Sequence, residues 1–569
     1  YGIWSSYSWS EFYDNSRLIG LALLSMGFKR GEVVSILSED SKEWIYTDLA
    51  VQSVGGITSG VYPTDSARQL VYLVNDSDTQ FLFLENDEQL DKYLSVSDQM
   101  PNLKKVIVYE KDGLIDFDDP RVIFLTDLYE VGKTELEKKS GIFEKEIEAG
   151  KSEDTSILIY TSGTTGEPKG VEITGNNIMF SISAGGRSLP VFDNDEQLCF
   201  LPLCHILERL ISVFQPIGAG SVINFAESSE TVFDNLQEVS PTIFTAVPRV
   251  WERIYSRVSI MTGEATPFGR WAFKKALAAG MNKIKAEDEN RTIPLSYFFW
   301  DFVLLKNIRR MLGMDNLRRG TTGAAPISPE LLTWFRAIGV KIFEGYGMSE
   351  SAGLISLNYE GNHKNGSVGS VIPGAMLRIG ADNEIQYKGG NCFKGYWRKT
   401  EKTDETFTSD GWMKTGDIGL IDDNGFLTIT GRMKDIIITA GGKNVTPSEL
   451  ENRLKFSPYI SDTILIGDGR KFISCLVMID QENVEKFAQD QKIPFSDFAS
   501  LCAAPEIIEL ISNIIDDVNR DFARVEQIKK FRLIDILLTA EDDELTATMK
   551  LKRGFVEEKH KTLIDEMYL

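Results

Sequence analysis

Residues 155–174 read TSILIYTSGTTGEPKGVEIT, and the loop at their centre sets the terms for the rest of the chain. The apolar run SILIY before it and the β-branched GVEIT after it read as two short strands, so 160–170 is the connection of a hairpin or a strand–loop–strand unit. Glycines alternate there with Thr161, Ser162, Thr164 and Thr165. Such a loop gathers backbone N–H groups and hydroxyls in a small space, which is how a polyphosphate anion is held. An ordinary Gly/Ser surface loop has the same composition, and composition alone leaves both readings open. The Walker pattern does not fit. Gly166 is followed by Glu167 and Pro168, and Gly170 stands after Lys169 where Ser or Thr would bind magnesium.

The chain has 569 residues, which predicts two to four domains. Its composition, 42% hydrophobic and 25% charged with 47 glycines, is that of a globular enzyme without repeats or low-complexity tracts. No apolar run approaches the ~18–20 residues of a membrane span. The sequence begins at Tyr1 without a methionine, which leaves a preceding targeting segment open. A formal net charge of −23 argues against nucleic acid as a partner. It also means that any polyphosphate must meet locally supplied cations. Cys199, Cys204, Cys392, Cys475 and Cys502 are scattered without C-x-x-C spacing, and only three histidines are present. This fits a reducing, cytoplasmic compartment, and it fits neither a disulfide framework nor a zinc centre. Residues 268–320 break the acidic trend, with 11 Lys/Arg against 5 Asp/Glu interleaved with WAF, YFFWDFVLL and MLGM. Such a segment reads either as helices whose apolar face is core or as a surface in peripheral contact with an anionic membrane.

Along the chain, WSEFYDNSRLIGLALLSMGFKRGEVVSIL reads as helix, turn and buried strand, and the helix–strand alternation continues through NLKKVIVY. That pattern predicts α/β architecture with partly parallel sheets. After about Gly366 the texture changes to short strands and turns, with Asp-Asn-Gly at 423–425 marking a hairpin. In MKDIIITAGGKNVTPSELENRL, Thr446 as cap, Pro447 at the first helical position and Glu449 three residues after the cap predict a helix start.

Four further islands are each weak alone: TTGAAPIS (321–328), EGYGMSES (344–351), KTGDIG around Asp417, and LTATMKLKR carrying Lys550. In this order, together with YTSGTTGEPKG and GRMKDIIITAGGKNVTPSELE, they make the chain resemble the adenylate-forming superfamily of acyl-CoA synthetases, adenylation domains and luciferases over its whole length. PLCHILER, VPRVWERIY, GYGMSES and LTATMKLKR resemble the long-chain fatty-acid–CoA ligases within it. The resemblance implies an α/β fold. A large N-terminal domain of α/β subdomains with mixed sheets would span 1–431, including a small β-rich subdomain at about 367–431. A mobile, smaller α+β C-terminal domain would span 432–569.

The chemistry implied is attack of a fatty-acid carboxylate on the α-phosphorus of ATP, then transfer of the acyl group to CoA. Two anions meet in the first step, so charge neutralisation and alignment carry the catalysis. By the resemblance, Lys550, Glu350 and Lys169 are catalytic. Thr161, Ser162, Gly163, Thr164, Thr165 and Gly166 would cradle the outer phosphates with Lys169. Glu350 and Thr164 would hold Mg²⁺, a hard cation suited to oxygen ligands. Gly323, Ala324 and Ala325 would face adenine opposite Tyr346, continued by Gly347, Met348 and Ser349. Asp417, assisted by Arg432, would bind the ribose. Lys550 would reach the α-phosphate and the acyl oxygen.

For the second step the resemblance implies rotation of the C-terminal domain about Lys434. Gly441, Gly442 and Lys443 would then line the pantetheine tunnel. His205 and Trp251 match positions bordering the acyl tunnel, although either can equally be a core residue. Ser349 where many members carry Thr, and TATMK before the lysine, depart from the general pattern in the direction of the long-chain subgroup. Two alternatives remain at this stage: an acyl-AMP ligase that hands the acyl group to a carrier protein, and a nucleotide-binding regulator without turnover. Retention of Lys169, Glu350, Asp417, Arg432 and Lys550 speaks against the latter. Oligomeric state stays open, a dimer included.

Overall fold

A computed structural model describes residues 3–114, 116–139, 141–161, 167–228, 230–536 and 552–569. The opening stretch is a hairpin: Thr155–Thr161 pairs antiparallel with Lys169–Thr174, bringing Thr161 opposite Lys169. Because Lys169 begins a strand and no helix, the loop differs in architecture from a Walker loop. Two phenols fix its base. Tyr72 donates to the Pro168 carbonyl at 2.8 Å, and Tyr160 donates to Asp76 at 2.9 Å.

This hairpin belongs to an eight-stranded sheet. From one edge the order is Gly395–Tyr396, Lys169–Thr174, Thr155–Thr161, Ile57–Val61, Val33–Leu37, Thr79–Leu84, Lys105–Val108 and Val122–Phe124. The last six run parallel. Val33–Leu37 is buried at every position, as a parallel strand covered on both faces requires. Helices Trp9–Ser25 and Lys42–Ser53 cover the face of Val34 and Ile36, the first opened by a complete capping box between Ser8 and Glu11, and helices Ala67–Ser77 and Asp87–Leu94 pack on the side of Leu37. A second sheet runs Ile243–Ala246, Arg319–Thr322, Ile342–Tyr346, Ser356–Leu357 and Ser370–Val371, its first three strands parallel.

The β-rich texture after Gly366 is a four-stranded antiparallel sheet of Met376–Ile379, Glu384–Lys388, Met413–Ile421 and Leu427–Arg432. The Asp-Asn-Gly turn joins its last two strands. A separate core follows. Strands Ile460–Ile466, Ile473–Ile479 and Ile528–Leu533 pack against helices Pro447–Lys455 and Pro505–Asn519. The helix at Pro447 starts where expected, but Thr446 makes no side-chain cap hydrogen bond. Its methyl group instead crowds Gly431, where a Cβ would lie 2.4 Å away, so packing across the strand end takes the side chain from its capping role.

The described residues contain five free cysteines, four of them buried. Among them no helix is long and apolar enough to cross a membrane.

Candidate active site

Three strands from the two sheets end, at their C-terminal ends, on one cleft. Thr155–Thr161 leads into the Gly/Thr loop, Arg319–Thr322 into Gly323–Ala325, and Ile342–Tyr346 into Gly347–Glu350. Ligands of α/β sheets bind at such ends. Here the ends open into a cleft of about 2870 Å³.

At its centre, Tyr346 Oη donates to Asp417 Oδ2 at 2.5 Å, and Arg432 Nε donates to Asp417 Oδ1 at 3.0 Å. Register brings Arg432 to Asp417: the two are directly paired across the antiparallel strands Met413–Ile421 and Leu427–Arg432. Burial, followed by the Asp417 charge, pushes the Tyr346 phenol well above its ordinary value and keeps it a donor. Gly347 is needed for close approach, since a Cβ there would sit 2.2 Å from the Gly353 carbonyl oxygen. Ala324 occupies the left-handed region with φ +65°, so the small-residue turn is sharper than its sequence suggests.

On the phosphate side, strand Gly395–Tyr396 adds to the sheet edge beside Lys169–Thr174. This sets the Tyr396 ring under the Lys169 ammonium at 4.1 Å from the ring centroid. Its hydroxyl donates to Glu350 Oε1 at 2.7 Å. Glu350 is buried, and its backbone oxygen accepts from Phe393 N at 2.8 Å. Burial pushes the Lys169 ammonium below the usual lysine range; Glu350 opposes that shift, and Lys434 and Lys402 add to it. The result is a half-buried cation with one buried carboxylate beside it and two further lysines, Lys402 and Lys434, close enough to act on it. Tyr396 and Lys402 were not legible as site residues, because no spacing in the sequence links them to the loops they meet; Glu344 stands in the 344–351 island, but that motif gave it no role.

Glu344 also lines the cleft, and burial pushes its carboxyl up to about 8 against a hydrogen bond from the Ile327 backbone. A carboxyl with a folded pKa above its ordinary 4.5 stabilises the native state in its protonated form. That stabilisation is complete below about 4.5 and is lost as pH rises toward about 8. Thermal denaturation midpoints are therefore expected to fall over that window. Glu344→Gln should flatten the fall, by up to about 1.4 kcal/mol per pH unit.

The cleft continues from the polar cluster along an apolar wall of Ile206, Leu207, Leu210, Ile211, Ile243 and Phe244. Ile206–Arg209 is a short helix that passes into a π-helical segment, Leu210–Phe214, an irregularity common at functional sites. His205 lines the cleft and caps this helix, its Nδ1 accepting from Leu207 N at 3.2 Å. Arg209 in the same motif anchors it from below, donating through Nε to the buried Asp48 at 3.0 Å. Trp251 corrects the expectation from sequence. It is 0% exposed, lies edge-on between Phe244 and Phe335, and does not line the cleft. Its helix, Pro248–Glu264, turns it inward behind Phe244. Trp251→Ala is accordingly expected to cost about 3–5 kcal/mol of stability while leaving the substrate range unchanged. A denaturation curve beside a substrate panel checks both.

Thr161, Gly323, Ala324, Ala325, Met348 and Ser349 all line the cleft, as does Lys434 on the Met433–Asp435 turn. Gly441, Gly442 and Lys443 form a turn that does not; Lys443 lies 3.8 Å from Glu526. Ser162, Gly163, Thr164, Thr165, Gly166 and Lys550 lie outside the described residues. Contacts between the two sides of Arg432 include Arg453 with Glu330 at 2.7 Å, Lys486 with Glu264 at 2.9 Å, and the stacked rings of Tyr255 and Phe456.

Comparison with known proteins gives a concordant picture. The family profile described as AMP-binding enzyme matches residues 1–397, and that of the AMP-binding enzyme C-terminal domain matches 434–569. The long-chain-fatty-acid–CoA ligase FadD15 of Mycobacterium bovis is 34% identical over 100% of this chain and 93% of its own. The long-chain-fatty-acid–CoA ligase ACSBG2 of Xenopus laevis is 31% identical over 99% and 80%. Among solved structures, the adenylation domain of a carboxylate reductase from Mycobacterium chelonae superposes with a TM-score of 0.75 at 19% identity, covering 99% of this chain and 84% of that one. The anthranilate CoA ligase AuaEII, in complex with anthranoyl-AMP, gives 0.70 at 20% identity, covering 98% and 92%.

Proposed function

The chain belongs to the AMP-binding enzyme family, and from that premise we propose that it is an ATP-dependent long-chain fatty-acid–CoA ligase. The observation that carries this reading is the continuity of one cleft. The Tyr346–Asp417–Arg432 cluster and the Lys169–Glu350 pair lie at its polar end, and the wall from Ile206 to Phe244 forms its apolar extension. A nucleotide and an aliphatic chain fit those two ends, with their reacting groups between them.

In the first half-reaction the fatty-acid carboxylate attacks the α-phosphorus of ATP; the P–O bond to pyrophosphate breaks and an acyl-adenylate forms. Thr161, the loop at 162–166 and Lys169 hold the outer phosphates. Lys550 neutralises charge on the α-phosphate and acyl oxygen. Asp417 accepts from the ribose hydroxyls, with Arg432 holding its orientation, and Tyr346 and the Gly323–Ala325 turn flank adenine. Glu350, with Thr164, suits Mg²⁺, which supplies neutralisation of phosphate charge. Among the described residues no group of three His, Cys, Asp or Glu side chains is placed to hold a metal ion, so a cation on Glu350 would draw its other ligands from phosphate oxygens and water.

In the second half-reaction the CoA thiol attacks the acyl carbonyl and AMP leaves. Rotation of 432–569 about Lys434 would bring Gly441–Lys443 to the cleft for this step. Polar and aromatic contacts between the two parts, such as those of Arg453, Lys486 and Tyr255, are of a kind that can break and re-form. His205 borders the acyl chain. ATP–pyrophosphate exchange without CoA tests the reading. Exchange should rise steeply from acetate to C16–C18 acids, and a preference for short or aromatic acids would overturn the substrate assignment.

A further inference from the structure

The basic segment at 268–320 folds into helices Pro267–Asp288, Leu295–Trp300 and Lys306–Met311, with the π-helical turn Asp301–Leu305 joining the last two. One side is anchored. A Cβ on Gly280 would stand 2.1 Å from the Ala337 carbonyl oxygen, so the first helix lies hard against Pro329–Ala337. Arg309 donates both to Asp301 and to the Ile338 carbonyl, each at 2.7 Å. Ala276, Ala279, Ile284, Tyr297, Leu305 and Ile308 face this inner side and are buried.

The outer side has the opposite character from the rest of the surface. Phe268 is 74% exposed, Phe302 79% and Leu295 85%, with Trp271, Phe298 and Phe299 also exposed. Rings on the two helices join into one run, from Phe268 to Trp271, to Trp300 and to Phe299 at centroid distances of 5.6, 5.9 and 5.3 Å, and Leu295, Phe298 and Phe302 are exposed on the same short helical stretch as Phe299. Lysines share the same exposed faces. Lys274 and Lys275 follow Trp271 by three and four residues, and Lys306 follows Phe302 by four. None of the three makes an ion pair among the described residues.

We infer that this outer face is a docking surface for an anionic lipid bilayer, with the exposed aromatic rings entering the headgroup region and the lysines engaging lipid phosphates. Charge complementarity selects this occupant. Lys274, Lys275 and Lys306 stand exposed beside these rings in a chain of net charge −23, and exposed aromatics interleaved with lysine are the composition of interfacial helices. A symmetric dimer through the same face would set like charges against one another. The inference stands on this surface alone and does not depend on the reaction assigned above.

Flotation of the full chain with phosphatidylcholine vesicles, with and without phosphatidylglycerol, tests it. The protein should float with the anionic vesicles and be released by salt. The triple variant Lys274→Glu, Lys275→Glu, Lys306→Glu should lower the partition coefficient by at least on the order of 100-fold. Phe298→Ser, Phe299→Ser, Phe302→Ser should lower it comparably. Both variants change exposed residues away from the cleft, so carboxylate-dependent ATP–pyrophosphate exchange in the absence of vesicles should match wild type and report intact folding. Absence of flotation, or variants that float like wild type, would overturn the inference. So would a concentration-dependent dimer that the phenylalanine variant abolishes while vesicles bind neither form, which would assign the face to a second copy of the chain.

Discussion

Glu350→Gln is expected to lower kcat/KM for ATP by on the order of 10²–10³-fold with little change in stability. The substitution keeps an oxygen for the Tyr396 hydroxyl, which now donates at 2.7 Å, and it keeps the buried shape. What it removes is the negative charge beside Lys169 and the proposed cation ligand. Neutralisation of phosphate charge by a bound metal is worth several kcal/mol in a reaction where two anions meet. The diagnostic readout is the dependence on Mg²⁺. The concentration giving half-maximal rate should rise in the variant, which a merely structural role for Glu350 would not produce. A variant within about threefold of wild type at every Mg²⁺ concentration would remove Glu350 from the reaction.

Asp417→Ala should have the second large effect, through ATP binding. Asp417 is 5% exposed and accepts from both Tyr346 and Arg432. Its loss removes the proposed ribose acceptor and leaves a buried phenol without its partner. Hydrogen bonds to a charged group contribute about 1.5–3 kcal/mol each, so two ribose contacts predict a loss on the order of 10²–10⁴-fold in kcat/KM, expressed mainly in the KM for ATP. Tyr346→Phe supplies the control. It deletes one donor to Asp417 but keeps the ring and the carboxylate, and it should cost less than about tenfold. Equal losses in the two variants would mean that Asp417 serves only to position Tyr346.

Both effects rest on contacts of different legibility. The Tyr160–Gly170 hairpin could be read because apolar and β-branched runs flank a glycine-rich centre, and local pattern decides such a unit. The turn at 423–425 was legible for the same reason. Glu350 and Tyr396 are 46 residues apart, and they meet only because two residues, Gly395 and Tyr396, extend a sheet edge beside Lys169. A two-residue strand leaves no periodic signature. Arg209 and Asp48 are 161 residues apart, so the anchor beneath His205 was likewise invisible. Trp251 shows the converse failure. A tryptophan on an amphipathic helix satisfies a tunnel wall and a core equally well, and only the packing of Phe244 and Phe335 around it decides for the core. Thr446 has the sequence of a helix cap, yet tertiary contact with Gly431 outweighs one capping hydrogen bond.

The reaction assignment is tested most directly by resolving products. The purified chain, ATP and Mg²⁺ are incubated with palmitate, with and without CoA, and AMP, acyl-adenylate and acyl-CoA are quantified, with Lys550→Ala run in parallel. Acyl-CoA and AMP should form in equal amounts only when CoA is present, and the Lys550 variant should stall before acyl-adenylate. Accumulation of acyl-adenylate that CoA leaves unchanged would contradict the assignment and make the chain an acyl activator for another acceptor.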